Sequence, residues 1–150
     1  MQVKVIIECL KGSNEKFEFD EKDRQIKLDF VFQNLTFPFY YGYIPGTRAG
    51  DGDMLDAVVV SSGLLNRGQE VECNLLGYVE VVDRGEEDNK FVLEPVGENN
   101  YSDINDIPKE IIEAWKNFWQ EVARQKNKIM VVKALHNREE ALIEIKNIKH

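Results

Sequence analysis

Apolar and polar positions alternate with a period of two over much of the first two-thirds of the chain, the spacing of half-buried strands. Residues 3–8 (VKVIIE) are rich in β-formers, Lys16-Phe17-Glu18-Phe19 alternates strictly, and residues 26–32 alternate loosely. Residues 57–60 (AVVV) form a short apolar run of the kind a fully buried strand carries. Residues 70–82 predict one long strand with Gly77 at a bulge or bend, and residues 91–96 predict another. Short strands separated by turn residues point to a small barrel or sandwich.

The period changes in the last third. Ile111, Trp115, Phe118 and Val122 fall on one helical face, with Ile112 and Trp119 beside it. Pro108 suits the first helical turn and Glu110 its positive end. A strand is predicted over residues 129–135. A second helix then starts at Asn137, with Glu140 placed for a capping box and Ala141, Leu142, Ile145 and Ile148 as its apolar stripe. No repeat, low-complexity segment or linker breaks this pattern, so residues 1–150 read as one α+β domain, mainly β.

Composition narrows the possible functions. A chain of 150 residues is long enough for a real core. The net charge of -8, from 27 acidic and 19 basic side chains, argues against broad binding to a nucleic-acid backbone. An acidic protein still binds a phosphorylated small molecule where metal ions reverse the local sign. Cys9 and Cys73 each lie in an apolar, strand-like segment and read as small buried thiols. The short apolar run at the N-terminus lacks a small-residue cleavage site, and no stretch approaches the roughly 20 apolar residues that cross a bilayer. A cytoplasmic protein without a membrane partner is expected.

Candidate chemistry gathers in two acidic turns. Asp51, Asp53 and Asp56 sit within six residues in YGYIPGTRAGDGDMLD, and crowded carboxylates raise one another's pKa unless solvent or a cation relieves them. Oxygen-only ligands favour Mg²⁺, Mn²⁺ or Ca²⁺. An EF-hand is excluded by spacing, because its sixth position would be Asp56 instead of glycine and its twelfth Ser62 instead of glutamate. The second turn, DRGEEDNK, begins at Asp83 and ends at Lys90. Read singly, each is as well explained as a solvated charged turn; together at strand ends of one barrel they could share cations. His136, beside a helix start, reads as a surface or capping residue.

These residues resemble the soluble, Mg²⁺-dependent inorganic pyrophosphatases of family I. DGDMLD matches the family's D-[small]-D-[Pro or Glu]-[apolar]-D at Asp51, Asp53 and Asp56, with Met54 departing at the fourth position. The second turn matches D-x-x-x-x-D-x-K as Asp83, Asp88 and Lys90. Upstream, Glu8 matches a strand glutamate, Lys16 with Glu18 a K-x-E, and Tyr41 a substrate-side tyrosine.

The resemblance implies an OB-like five-stranded β-barrel with two C-terminal α-helices packed outside. It also implies hydrolysis of diphosphate to two phosphates by metal-activated water. Asp51, Asp56, Asp83 and Asp88 would be metal ligands, for Mg²⁺ or alternatively Mn²⁺. Asp53 would be the catalytic proton acceptor, Glu8 and Glu18 would orient water around the metals, and Lys16, Tyr41 and Lys90 would bind substrate. A homo-oligomer is implied too. The Trp115/Trp119 helix is one candidate interface, and core packing is the preferred reading of those tryptophans.

The same alignment shows departures on the phosphate side. A strand arginine falls at Asp29 or Phe30, a tyrosine before Pro38 is Phe37, a Tyr-Lys pair is Val122-Ala123, and an acidic residue is Arg84. Arg48, Arg84 and Arg124 are the candidate replacements. Two alternatives therefore stand beside the hydrolase: a metal- and diphosphate-binding homologue with weak or lost turnover, or a hydrolase of another phosphoanhydride.

Overall fold

The computed structural model describes residues 1–50 and 52–148. Its strands are β1 (Gln2–Cys9), β2 (Glu15–Asp20), β3 (Gln25–Val31), β4 (Tyr40–Ile44), β5 (Leu55–Val59), β6 (Glu70–Asp83), β7 (Glu86–Glu87), β8 (Lys90–Pro95) and β9 (Met130–His136). The helices are α1 (Lys109–Gln125) and α2 (Arg138–Ile148). Strands β1, β4, β5, β8 and β6 pair in that order, and β6 pairs back with β1, closing a five-stranded barrel. Only β5 and β8 run parallel among these neighbours; the other pairings are antiparallel. The β2–β3 hairpin forms its own two-stranded sheet, and β9 adds to β6. The expected barrel with two helices is what the chain adopts.

Two buried clusters explain why the apolar runs are unbroken. Tyr40, Ala57 and Val59 join one cluster, which α2 covers with Ala141 and Ile145. Tyr41 and Val58, their immediate neighbours, face the other, which α1 covers with Trp115, Phe118 and Trp119. A strand buried on both faces loses its polar alternation. Trp115 and Trp119 are core residues; the ring centroids of both stand within 5.6 Å of that of Phe39. Cys9 and Cys73 are buried free thiols.

Several boundaries move. β4 was not expected as a strand, and all five of its residues are buried. Asp56 lies within β5, one residue after its start, and not ahead of the strand. Pro108 is the N-cap of α1, just before the first turn. The register of β6 against β8 shifts between Leu75 and Gly77, at the expected bulge. The capping box of α2 is present: Asn137 N–H donates to Glu140 Oε1 at 3.0 Å, and Glu140 N–H to Asn137 Oδ1 at 2.9 Å. His136 is no cap. Its ring stacks on Tyr78 at 4.4 Å and bridges Glu80 at 2.7 Å and Glu140 at 2.9 Å, tying β6 to α2.

Gly42 sits where β1 crosses β4. A Cβ there would lie 1.9 Å from the Ile6 carbonyl oxygen, which is backbone and cannot swing aside. Gly42→Ala is expected to destabilise the protein by about 3 kcal/mol, at the upper end of overpacking costs. Urea unfolding measures this, and a loss below about 0.5 kcal/mol, typical of a neutral surface change, would contradict it.

Candidate active site

The barrel, the β2–β3 hairpin and the end of α1 enclose a cleft of about 370 Å³. Nine residues singled out from the sequence line it: Glu8, Lys16, Glu18, Tyr41, Asp53, Asp56, Asp83, Asp88 and Lys90. The tenth, Asp51, lies outside the described residues.

Local structure explains how each side chain arrives. The register of β1 against β4 shifts between Ile7 and Cys9, so Glu8 occupies a bulge, a device that re-aims one side chain. Lys16 and Glu18 are two residues apart on β2 and so share a face. Asp56 pairs in register with Lys90 across the parallel β5–β8 ladder. The loop that carries Asp53 is stapled at its base by Thr47, whose hydroxyl donates to Ile44 O at 2.6 Å and accepts from Leu55 N–H at 3.0 Å. Within it Ala49 N–H donates to Asp53 O at 2.7 Å. Gly52, just before Asp53, has φ +89°, a conformation that L side chains resist.

Lys90 is the hub. Its ammonium is buried and donates to Asp88 Oδ2 at 2.7 Å, Tyr41 Oη at 2.8 Å and Asp56 Oδ2 at 2.9 Å. Burial pushes the Asp56 carboxyl up to about 6 despite the pull of Lys90. Burial also acts on Asp88, but there the attraction of Lys90 wins and the pKa falls below the usual carboxylate value. Burial raises the Tyr41 hydroxyl well above its ordinary value, and the neighbouring Asp56 and Asp88 charges add to this. It therefore stays protonated.

Glu8 is 5% exposed, and burial lifts its carboxyl to about 8, although Phe19 N–H donates to Oε2 at 2.6 Å. A carboxyl at 4.5 in the unfolded chain and about 8 in the fold holds its proton more tightly when folded. Its contribution to stability is therefore full below pH 4.5 and lost as pH rises through about 8. In the presence of a chelator, wild-type stability is expected to fall across this window and Glu8→Gln to flatten the fall. Parallel urea-unfolding profiles for the two proteins would refute the assignment.

Sequence reading missed part of the basic wall. Lys126 and Lys128, after the end of α1, line the cleft beside Arg84. Lys128 donates to Asp83 Oδ2 at 2.7 Å, and Lys126 stands 3.6 Å from Asp29 Oδ2. Of the three candidate replacement arginines, only Arg84 lines the cleft: Arg48 pairs with Glu21 and Arg124 with Glu121. Phe37 joins the aromatic floor, its centroid 5.0 Å from that of Phe118.

The donor set suits a hard divalent cation. Among the described residues, Asp83 Oδ1 is a buried side-chain oxygen with no hydrogen-bond partner, and Arg84 Nε stands 3.7 Å away. No three metal-binding side chains among the described residues already converge on one point, because Asp56 and Asp88 are held on Lys90. Eight carboxylates against five cations line the cleft among the described residues, so a polyanion enters only with added positive charge.

The family model for inorganic pyrophosphatase matches residues 5–150. The chain belongs to the inorganic pyrophosphatase family. It is 38% identical to the inorganic pyrophosphatase of Sulfolobus acidocaldarius over 71% of this chain and 65% of that relative. It is 36% identical to that of Thermoplasma volcanium over 92% of this chain and 86% of that protein. The fold superposes on the inorganic pyrophosphatase of Thermus thermophilus with a TM-score of 0.91 and 30% identity, covering 98% of this chain and 88% of the other. The Coxiella burnetii enzyme superposes with a TM-score of 0.91 at 26% identity, over 98% and 92% of the two chains. A divalent cation requirement accords with this family and with the acidic cleft.

Proposed function

We propose that this pyrophosphatase-family chain hydrolyses inorganic diphosphate to two phosphates with Mg²⁺, and with Mn²⁺ as a substitute. The observation that carries the reading is that nine of the ten residues matched to the family's motifs, drawn from β1, β2, β4, β5, β6, β8 and two loops, line one cleft. Asp56, Asp83 and Asp88, with Asp51, would hold the divalent cations. When bound, these supply positive charge that neutralises diphosphate and makes nearby water more acidic. Asp53 takes the proton from the attacking water as its oxygen bonds to one phosphorus. The P–O–P bridge breaks on the far side, and the bridging oxygen leaves with the electron pair on the departing phosphate. Lys16 and Tyr41 contact phosphate oxygens and stabilise that charge, and Lys90 would join them where bound cations take Asp56 and Asp88 off its ammonium. Glu8 and Glu18 orient water at the cleft wall.

Turnover is favoured over a binding-only role, because lysines still line the cleft where the arginine and the Tyr-Lys pair are missing. Phosphate release from Mg-diphosphate tests the activity, and a panel of nucleoside and organic diphosphates tests the substrate. Diphosphate is expected to be clearly preferred. Residues 1–150 act as one domain in this reading, in the cytoplasm and as a homo-oligomer. Among the described residues no helix is long and apolar enough to cross a membrane. Light scattering is expected to give a mass of at least two chains of 17.4 kDa, and the mass of a single chain would contradict the homo-oligomer.

A further inference from the structure

The chain departs from the family pattern on the phosphate side, yet lysines still line that wall of the cleft. Asp29 and Phe30, the two positions at which the family's strand arginine falls, lie side by side on β3. Asp29 Oδ2 accepts from Lys16 Nζ at 3.2 Å and lies 3.6 Å from Lys126 Nζ. The side chains of Lys16 and Lys126 are 21% and 20% exposed, and both line the cleft. Lys128 is 11% exposed and sits against Asp83 on the same wall. The stem of Lys126 is fixed as well, with its nitrogen 5.6 Å from the centroid of the Phe30 ring.

We infer that Lys126 is a phosphate-binding residue of this enzyme, reaching from the end of α1 to grip the phosphate that the missing strand arginine would have held. The inference rests on the proposed diphosphatase reading. Its geometry is that of an ammonium with a carboxylate 3.6 Å away and an aromatic ring beside it, on the wall of the cleft. Electrostatics agree. Burial and the neighbouring Lys16 charge lower the pKa of Lys126, outweighing the attraction of Asp29. Lys16 and Lys126 share the single Asp29 carboxylate, and a phosphate group supplies several further acceptor oxygens to such a pair.

The test uses the purified full chain in excess Mg²⁺. Lys126→Ala is expected to lower kcat/KM for diphosphate at least about tenfold, the effect of losing one charge-assisted hydrogen bond, with most of the change in KM. Lys126→Arg should recover part of the loss. Arg124→Ala, which removes a cation paired with Glu121 outside the cleft, should change neither constant. Binding of inorganic phosphate, measured by calorimetry, should weaken at least about fivefold in Lys126→Ala and not in Arg124→Ala. Wild-type turnover with an unaltered KM and unaltered phosphate binding in Lys126→Ala would overturn this inference and leave the diphosphatase reading standing. If the wild type does not hydrolyse diphosphate, that reading falls, and the phosphate titration still decides the role of Lys126.

Discussion

Asp53→Asn is expected to lower kcat for diphosphate hydrolysis by about 10²–10⁴-fold, the range that a positioned proton acceptor contributes. The side chain is exposed and lines the cleft, on a loop held by a hydroxyl staple and a backbone hydrogen bond. Thr47 staples the base of that loop, and the Asp53 backbone carbonyl, which the substitution leaves intact, holds Ala49 N–H at 2.7 Å. Fold and substrate affinity should therefore survive while the proton loses its destination. An amide is nearly the size of a carboxylate but does not take up the proton at neutral pH. Steady-state kinetics with a thermal melt measures both quantities. A kcat within about threefold of wild type, under 1 kcal/mol of barrier, would remove Asp53 from the chemistry.

Lys90→Met is expected to produce the largest loss of stability. Lys90 is 5% exposed and is the shared partner of Asp56, Asp88 and Tyr41. Methionine keeps much of the volume and removes the charge. Two carboxylates then face each other across a largely dry site, and removing one member of such a buried group costs about 3–5 kcal/mol. In chelator, the urea midpoint should fall accordingly. Mg²⁺ should restore part of the loss, because a bound cation takes over the neutralisation of Asp56 and Asp88. A variant as stable as wild type in chelator would mean that Lys90 is not what holds these carboxylates together.

The parts of this protein that were legible in the sequence are those written in short-range spacing. The stretch from Asp83 to Lys90 carries its side chains within one hairpin, so motif spacing and spatial proximity coincide. The β6 bulge at Gly77, the α1 face and the α2 capping box are likewise local. β4 was hidden for a physical reason. Tyr40-Tyr41-Gly42-Tyr43-Ile44 is buried throughout, so it shows no alternation, and its glycine mimics a turn while answering a close approach of β1.

Lys126 and Lys128 were hidden because long-range pairing puts them in the cleft. β9 runs antiparallel to β6 with Met130 opposite Asp83, and Arg84 N–H donates to Ile129 O at 3.0 Å. That pairing draws the turn after α1 over the end of β6, and Asn127 bends it at φ +52°. No spacing within residues 126–128 predicts an aspartate 45 positions away as the partner of Lys128. Arg124, closer to the expected Tyr-Lys position, lies one helical step away from the cleft and pairs with Glu121 instead.

The central claim is that an acidic cleft becomes a diphosphate site through divalent cations. Phosphate release from diphosphate by the purified wild-type chain, with Mg²⁺ and after its removal by chelator, tests it most directly. Sustained catalytic release is expected with Mg²⁺, stopping in chelator and returning when Mg²⁺ is added back. Release no faster than the protein-free reaction in Mg²⁺, or release equally fast in chelator, would contradict it.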